Sequence, residues 1–164
     1  MKTNLSILLL IIATLFSCTK KESNSIPLPE HPRPNFERSH WQNLNGYWQF
    51  KPDTANVGLS ENWQNEAEFF DKKILVPFSW ASPASEVTLP DVHVGWYFRT
   101  FEVENPQLWS EKETYLNFCA SDFETTVWIN GKNIGTHKGG YTPFDYNISA
   151  VLEEGVNSLV VRVE

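Results

Sequence analysis

The sequence predicts an all-β sandwich. Three observations carry this. Short runs alternate apolar and polar residues with the two-residue period of a pleated strand. Turn signals separate them at close intervals, and no segment shows the apolar stripe of an amphipathic helix. The expected strands are GYWQFK (46–51), KKILVPF (72–78), GWYFRTFEV (95–103), TYLNFCA (114–120), ETTVWI (124–129), KNIGTH (132–137) and NSLVVRV (157–163). Between the first two, SENWQNEAEFF (60–70) has room for a short helical turn.

Asn130-Gly131 is the strongest hairpin signal in the chain, because both central positions of a two-residue β-turn need positive φ. It should join 124–129 to 132–137 as antiparallel neighbours. Gly139-Gly140 then lets the backbone leave the sheet without steric cost. In the segment that follows, Tyr141 and Phe144 are expected to pack, and Asp145 to accept from backbone N–H groups. Glu153–Asn157 should turn into the last strand.

Length and charge bound the function. A chain of 164 residues with 41% hydrophobic and 20% charged residues is long enough for one folded domain. A formal net charge of −7 argues against a nucleic-acid partner, which would require a basic surface.

The first residues have another purpose. Lys2, the apolar run 5–16 and the small residues after it follow the order of a secretory signal, and the run is too short for an ordinary membrane span. LFSC (15–18) resembles a bacterial lipobox, which implies lipidation at Cys18. The expected organisation is a signal peptide over 1–17, a proline-rich tether over 18–35 and a folded domain over 36–164. The expected location is an exported, membrane-anchored lipoprotein of the periplasm, outer membrane or cell surface, held by its lipid alone. With Cys18 acylated, Cys119 has no disulfide partner, and its place in an apolar run predicts a buried structural thiol.

Motifs for other chemistries fail on inspection. GKNIG (131–135) lacks the Gly-Lys-Ser/Thr ending of a phosphate loop. The four histidines, His31, His40, His93 and His137, show no metal-ligand spacing, and no G-x-S-x-G is present. No metal or cofactor is expected. Asn147-Ile148-Ser149 is a glycosylation sequon, expected to be idle in a bacterial lipoprotein. Asn65-Glu66 could suggest a glycosidase acid, but its polar setting predicts a solvated pair. Seven tryptophans suit stacking on sugar rings, yet at alternating strand positions most should fill the core.

Taken together, several segments resemble glycoside hydrolase family 2. RPNFERSHWQNLNGYWQF (33–50) is similar to the family's opening, followed in order by VGLSENW (57–63), ILVPFSW (74–80) and GWYFRTFEV (95–103). VWINGKNIGTHKGGYTPF (127–144) resembles the Val-Trp-Ile-Asn-Gly hairpin and the Gly-Gly-Tyr-x-Pro-Phe segment after it. The likeness covers 33–164.

The resemblance implies the family's N-terminal sugar-binding domain, a jelly-roll (galactose-binding-like) β-sandwich. In relatives an immunoglobulin-like domain and a (β/α)₈ barrel follow it. The barrel carries both catalytic glutamates and cleaves terminal β-glycosides with retention. No catalytic residue is therefore assigned to this chain, which reads as one cut short before those domains. The implied partners are a β-glycoside and the barrel. A stand-alone carbohydrate-binding surface lipoprotein and a purely structural docking domain are the competing readings. By itself the domain is expected to bind simple sugars weakly or not at all. His137 and Lys138, together with Asp91 and His93 before the aromatic strand, are the residues folding explains least. They are the candidates to face a sugar or the barrel.

Overall fold

The computed structural model describes residues 26–33, 35, 37–103 and 112–164. It is an all-β, jelly-roll-like sandwich. Among the described residues eight strands appear in chain order: β1 (Gly46–Pro52), β2 (Lys72–Val76), β3 (Gly95–Glu102), β4 (Tyr115–Phe118), β5 (Glu124–Ile129), β6 (Lys132–Lys138), β7 (Phe144–Asn147) and β8 (Val156–Val163). Six form one sheet in the order β2-β1-β3-β8-β5-β6, and β4 pairs with β7 in a second. Every pairing is antiparallel. The segment 60–70 forms two single 3₁₀ turns, Trp63–Asn65 and Ala67–Phe69. There, Asn65 and Glu66 are exposed, as a solvated pair should be.

Alternation sorts the strand side chains into two cores. Trp48, Phe50, Tyr97, Phe101, Val127, Ile129, Leu159, Val161 and Val163 face inward, where Leu116 of β4 and Ile148 after β7 meet them. The intervening residues Trp96, Trp128 and Val160 lie on the opposite face, under Trp63 and Phe70. The centre of the large sheet is thus buried on both faces, which is why β8 is buried without a break from Leu159 to Val163. Trp96 and Trp128 stack with centroids 5.3 Å apart. Trp48, Trp63, Trp96 and Trp128 are all buried, as expected of strand and cover aromatics, and Trp41 is exposed. Trp109 lies outside the described residues.

One acidic residue fastens the cover to the outer face. The Asp53 carboxylate, 3% exposed, accepts from Val57 N (2.8 Å), Gly58 N (2.9 Å) and the Trp96 indole (3.0 Å). Gly58 fits here because a Cβ would lie 2.6 Å from the Trp96 ring. Arg162, buried on the same face, donates to Asn56 (2.9 Å) and Glu164 (2.6 Å). Arg99 donates to the carbonyls of Leu44 and Asn45, and fixes the entry to β1. Part of the proline-rich approach is also held: Asn43 and Asn45 donate to the carbonyls of Leu28 and Pro27.

The hairpin forms as its residues predict. Asn130 (φ 50°) and Gly131 (φ 73°) make the turn. The Asn130 amide also bonds Val151 O and Asn157 Oδ1 and accepts from Ser158 N, which ties the turn to β8.

Three expectations fail. Cys119 is exposed, because β4 ends at Phe118 and the thiol falls in the loop beyond it. Tyr141 is 94% exposed, since the chain leaves the large sheet after β6 and joins the second sheet only at Phe144. Asp145 faces outward opposite Asn117 in β7, a strand not foreseen, and makes no side-chain hydrogen bond among the described residues.

Candidate functional site

The strand register places all four candidate residues at one end of the large sheet. Across that end Pro52 pairs with Gly95, Gly95 with Val163, Val163 with Thr125, and Thr125 with His137. Asp91 and His93 enter this row just before β3, and His137 and Lys138 close it at the end of β6. Three strand spacings separate Gly95 from His137, roughly 14 Å along the hydrogen-bonding direction. The candidates therefore line a common rim without forming one pocket.

Asp91 and His93 are exposed while Val94 between His93 and β3 is buried. Their loop is pinned on both sides: the Trp80 indole donates to Val92 O (3.0 Å), and Asp53 N donates to Val94 O (2.8 Å). These contacts hold the backbone and leave the two polar side chains toward solvent.

Folding accounts for more of His137 and Lys138 than their sequence setting does. The His137 ring stacks on Phe144 at 4.0 Å, and Phe144 stacks in turn on Phe118 at 4.8 Å, so three rings bridge the two sheets. Nε2 of His137 lies 3.5 Å from the Thr142 hydroxyl. Lys138 Nζ is 2.8 Å from Glu124 Oε2. That hydrogen bond, with the Glu124 charge, holds the ammonium above its ordinary pKa range.

Sequence reasoning missed Phe123 and Tyr141, the exposed rings of this end, 57% and 94% exposed. Gly139 N donates to Phe123 O (2.9 Å), which extends the β5–β6 ladder one step past Lys138. A Cβ at Gly140 would lie 2.4 Å from Asp122 Oδ1, so the second glycine of the pair is needed for close approach to that carboxylate. The Gly-Gly pair was the available signal: it takes the chain out of the sheet just before Tyr141.

Elsewhere, an open depression of about 290 Å³ lies on the β2 edge, lined by Lys72, Lys73, Glu86, Val87 and Leu89. It shares no residue with the rim. Among the described residues no group of three or more His, Cys, Asp or Glu side chains is arranged to hold a metal ion.

The fold is a β-sandwich module with loops gathered at one end of its large sheet. The family model described as "Glycosyl hydrolases family 2, sugar binding domain" matches residues 41–164. The chain belongs to that family. A β-glucuronidase of Paenibacillus borealis is 33% identical over 124 residues, covering 74% of this chain and 20% of that protein. A β-galactosidase of Priestia megaterium is 26% identical, covering 91% of this chain and 17% of its own. Among solved structures, the β-glucuronidase of an uncultured Clostridium sp. superposes with a TM-score of 0.65 at 33% identity, covering 74% of this chain and 21% of that one. The chain thus spans about a fifth of the length of the relatives it matches.

Proposed function

We propose that this domain serves as the N-terminal part of an exported family 2 glycoside hydrolase acting on terminal β-linked sugars, with β-glucuronides and β-galactosides as the substrates to try first. The observation that carries the reading is the family match over 41–164, shared with β-glucuronidases and a β-galactosidase. The domain's part is to shape the substrate cleft and brace the barrel, and the chemistry belongs to the barrel. Asp91, His93, His137 and Lys138 face that cleft or the barrel from one rim.

Export and lipid attachment at Cys18 are part of the same proposal, supported by the apolar run 5–16 and LFSC at 15–18. The activity is tested by expressing the whole polypeptide encoded at the locus and assaying p-nitrophenyl β-D-glucuronide and β-D-galactoside. Release of nitrophenol from one of them with retained anomeric configuration is expected. A complete polypeptide that folds and cleaves neither would overturn the assignment.

A further inference from the structure

We propose that Tyr141, carried by a loop hydrogen-bonded to the backbone of Phe123, is a stacking platform for a neutral pyranose ring. This rests on the reading of the rim as carbohydrate-facing and adds to it a residue and a sugar class. Tyr141 is 94% exposed, yet its loop is braced on both sides. Upstream, Gly139 N bonds Phe123 O, and Gly140 lies against the Asp122 carboxylate. Downstream, Thr142 meets the His137 ring, and Phe144 is clamped between His137 and Phe118. A rigid loop that holds a large amphipathic ring in water gives that ring low entropic cost on binding.

The surroundings suit a sugar. The ring face takes the C–H face of a pyranose, and its hydroxyls find polar groups on the residues flanking the ring, the Asp122 carboxylate against Gly140 and the hydroxyl of Thr142. A few convergent polar groups beside apolar surface are the usual composition of a small-ligand site.

Charge selects among sugars. Lys138, the cation nearest Tyr141 in the chain, is already paired with Glu124. Asp122 has no ion-pair partner among the described residues. A uronate carboxylate placed here would meet the like charge of Asp122, with Lys138 already engaged by Glu124. The platform therefore takes a neutral hexose unit.

The test is a ¹H–¹³C NMR titration of the full chain with methyl β-D-galactopyranoside and, separately, methyl β-D-glucopyranosiduronate. The Tyr141 ring resonances are assigned by comparison with Tyr141→Phe. A saturable shift of those resonances with the galactoside is expected, in the millimolar range, with binding at least about threefold weaker for the uronide. Tyr141→Ala should weaken galactoside binding about tenfold, equivalent to about 1.4 kcal/mol, while Tyr141→Phe keeps it within about threefold. Unmoved Tyr141 resonances, an undiminished response in Tyr141→Ala, or tighter uronide binding would overturn the proposal. So would shifts that follow protein dilution without sugar, which would make the patch an interface between copies. None of these outcomes bears on glycosidase activity of the whole polypeptide, so the two readings fail separately.

Discussion

Replacing Asp53 with alanine should unfasten the cover around Val57 and Gly58 from the outer face of the large sheet. The carboxylate receives three hydrogen bonds, from Val57 N, Gly58 N and the Trp96 indole, and the indole belongs to a side chain with no exposed surface. Each buried donor left without a partner costs about 1–3 kcal/mol. Val57 is half-buried and can turn to water; Gly58 and Trp96 cannot. Two orphaned donors, less some hydration through the exposed stretch Thr54–Asn56, give a loss of about 3–4 kcal/mol. In a domain of this size that lowers Tm by roughly 10–20 °C. Asp53→Asn keeps one acceptor oxygen for Gly58 and Trp96 and should lose about 1–2 kcal/mol. The assay is urea unfolding followed by tryptophan fluorescence, with Trp96 and Trp128 stacked beside the lost contact. The midpoint should fall with the slope unchanged. Asp53→Ala within about 0.5 kcal/mol of the parent, or Asp53→Asn as damaging as Asp53→Ala, would refute the reasoning.

Three further outcomes follow. Gly140→Ala drives a Cβ to 2.4 Å from Asp122 Oδ1 and should lower stability by about 1–3 kcal/mol by thermal melting; Gly140→Ala combined with Asp122→Gly should recover most of it. Burial raises the Tyr97 phenol well above its ordinary value of 10.0. The folded protein then keeps a proton that the unfolded chain releases, so stability should decline as pH rises above about 10, and Tyr97→Phe should flatten that decline in alkaline melts. Cys18→Ser should abolish incorporation of labelled palmitate in an expressing bacterium and release the protein from the membrane fraction, whereas Cys119→Ser should leave both unchanged.

The fold was legible where local chemistry and tertiary need coincide. Asn130-Gly131 allows one hairpin geometry, and the alternation of β1, β3, β5 and β8 carries both cores at once. β7 was not legible: Phe144–Asn147 is short, and it finds its identity only in pairing with β4 and in the ring stack with His137 and Phe118. Cys119 was misread for a related reason. The alternation of 114–120 gives no sign that the strand stops at Phe118. The Asp53 knot joins residues 43 positions apart, Asp53 and Trp96, and no window of sequence contains both. Its local trace is Pro52-Asp53 at a strand end, a turn signal that says nothing of the indole.

The rim divides in the same way. Asp91 and His93 stand exposed just before β3. Lys138 and His137 were chosen because folding left them unexplained, and the structure gives each a partner: Glu124 for one, Phe144 for the other. Tyr141 was expected to pack with Phe144, and it stands in solvent instead. Its exposure depends on where the braced loop points, which sequence does not state.

The central claim is that this domain works as the front of a longer glycosidase, and the coding DNA beyond codon 164 tests it most directly. The account predicts an open frame, continuing in phase or after one shift, that encodes a (β/α)₈ barrel bearing two glutamates. A stop codon followed by an unrelated gene would contradict it, and would make glycan binding by the domain alone the function to explain.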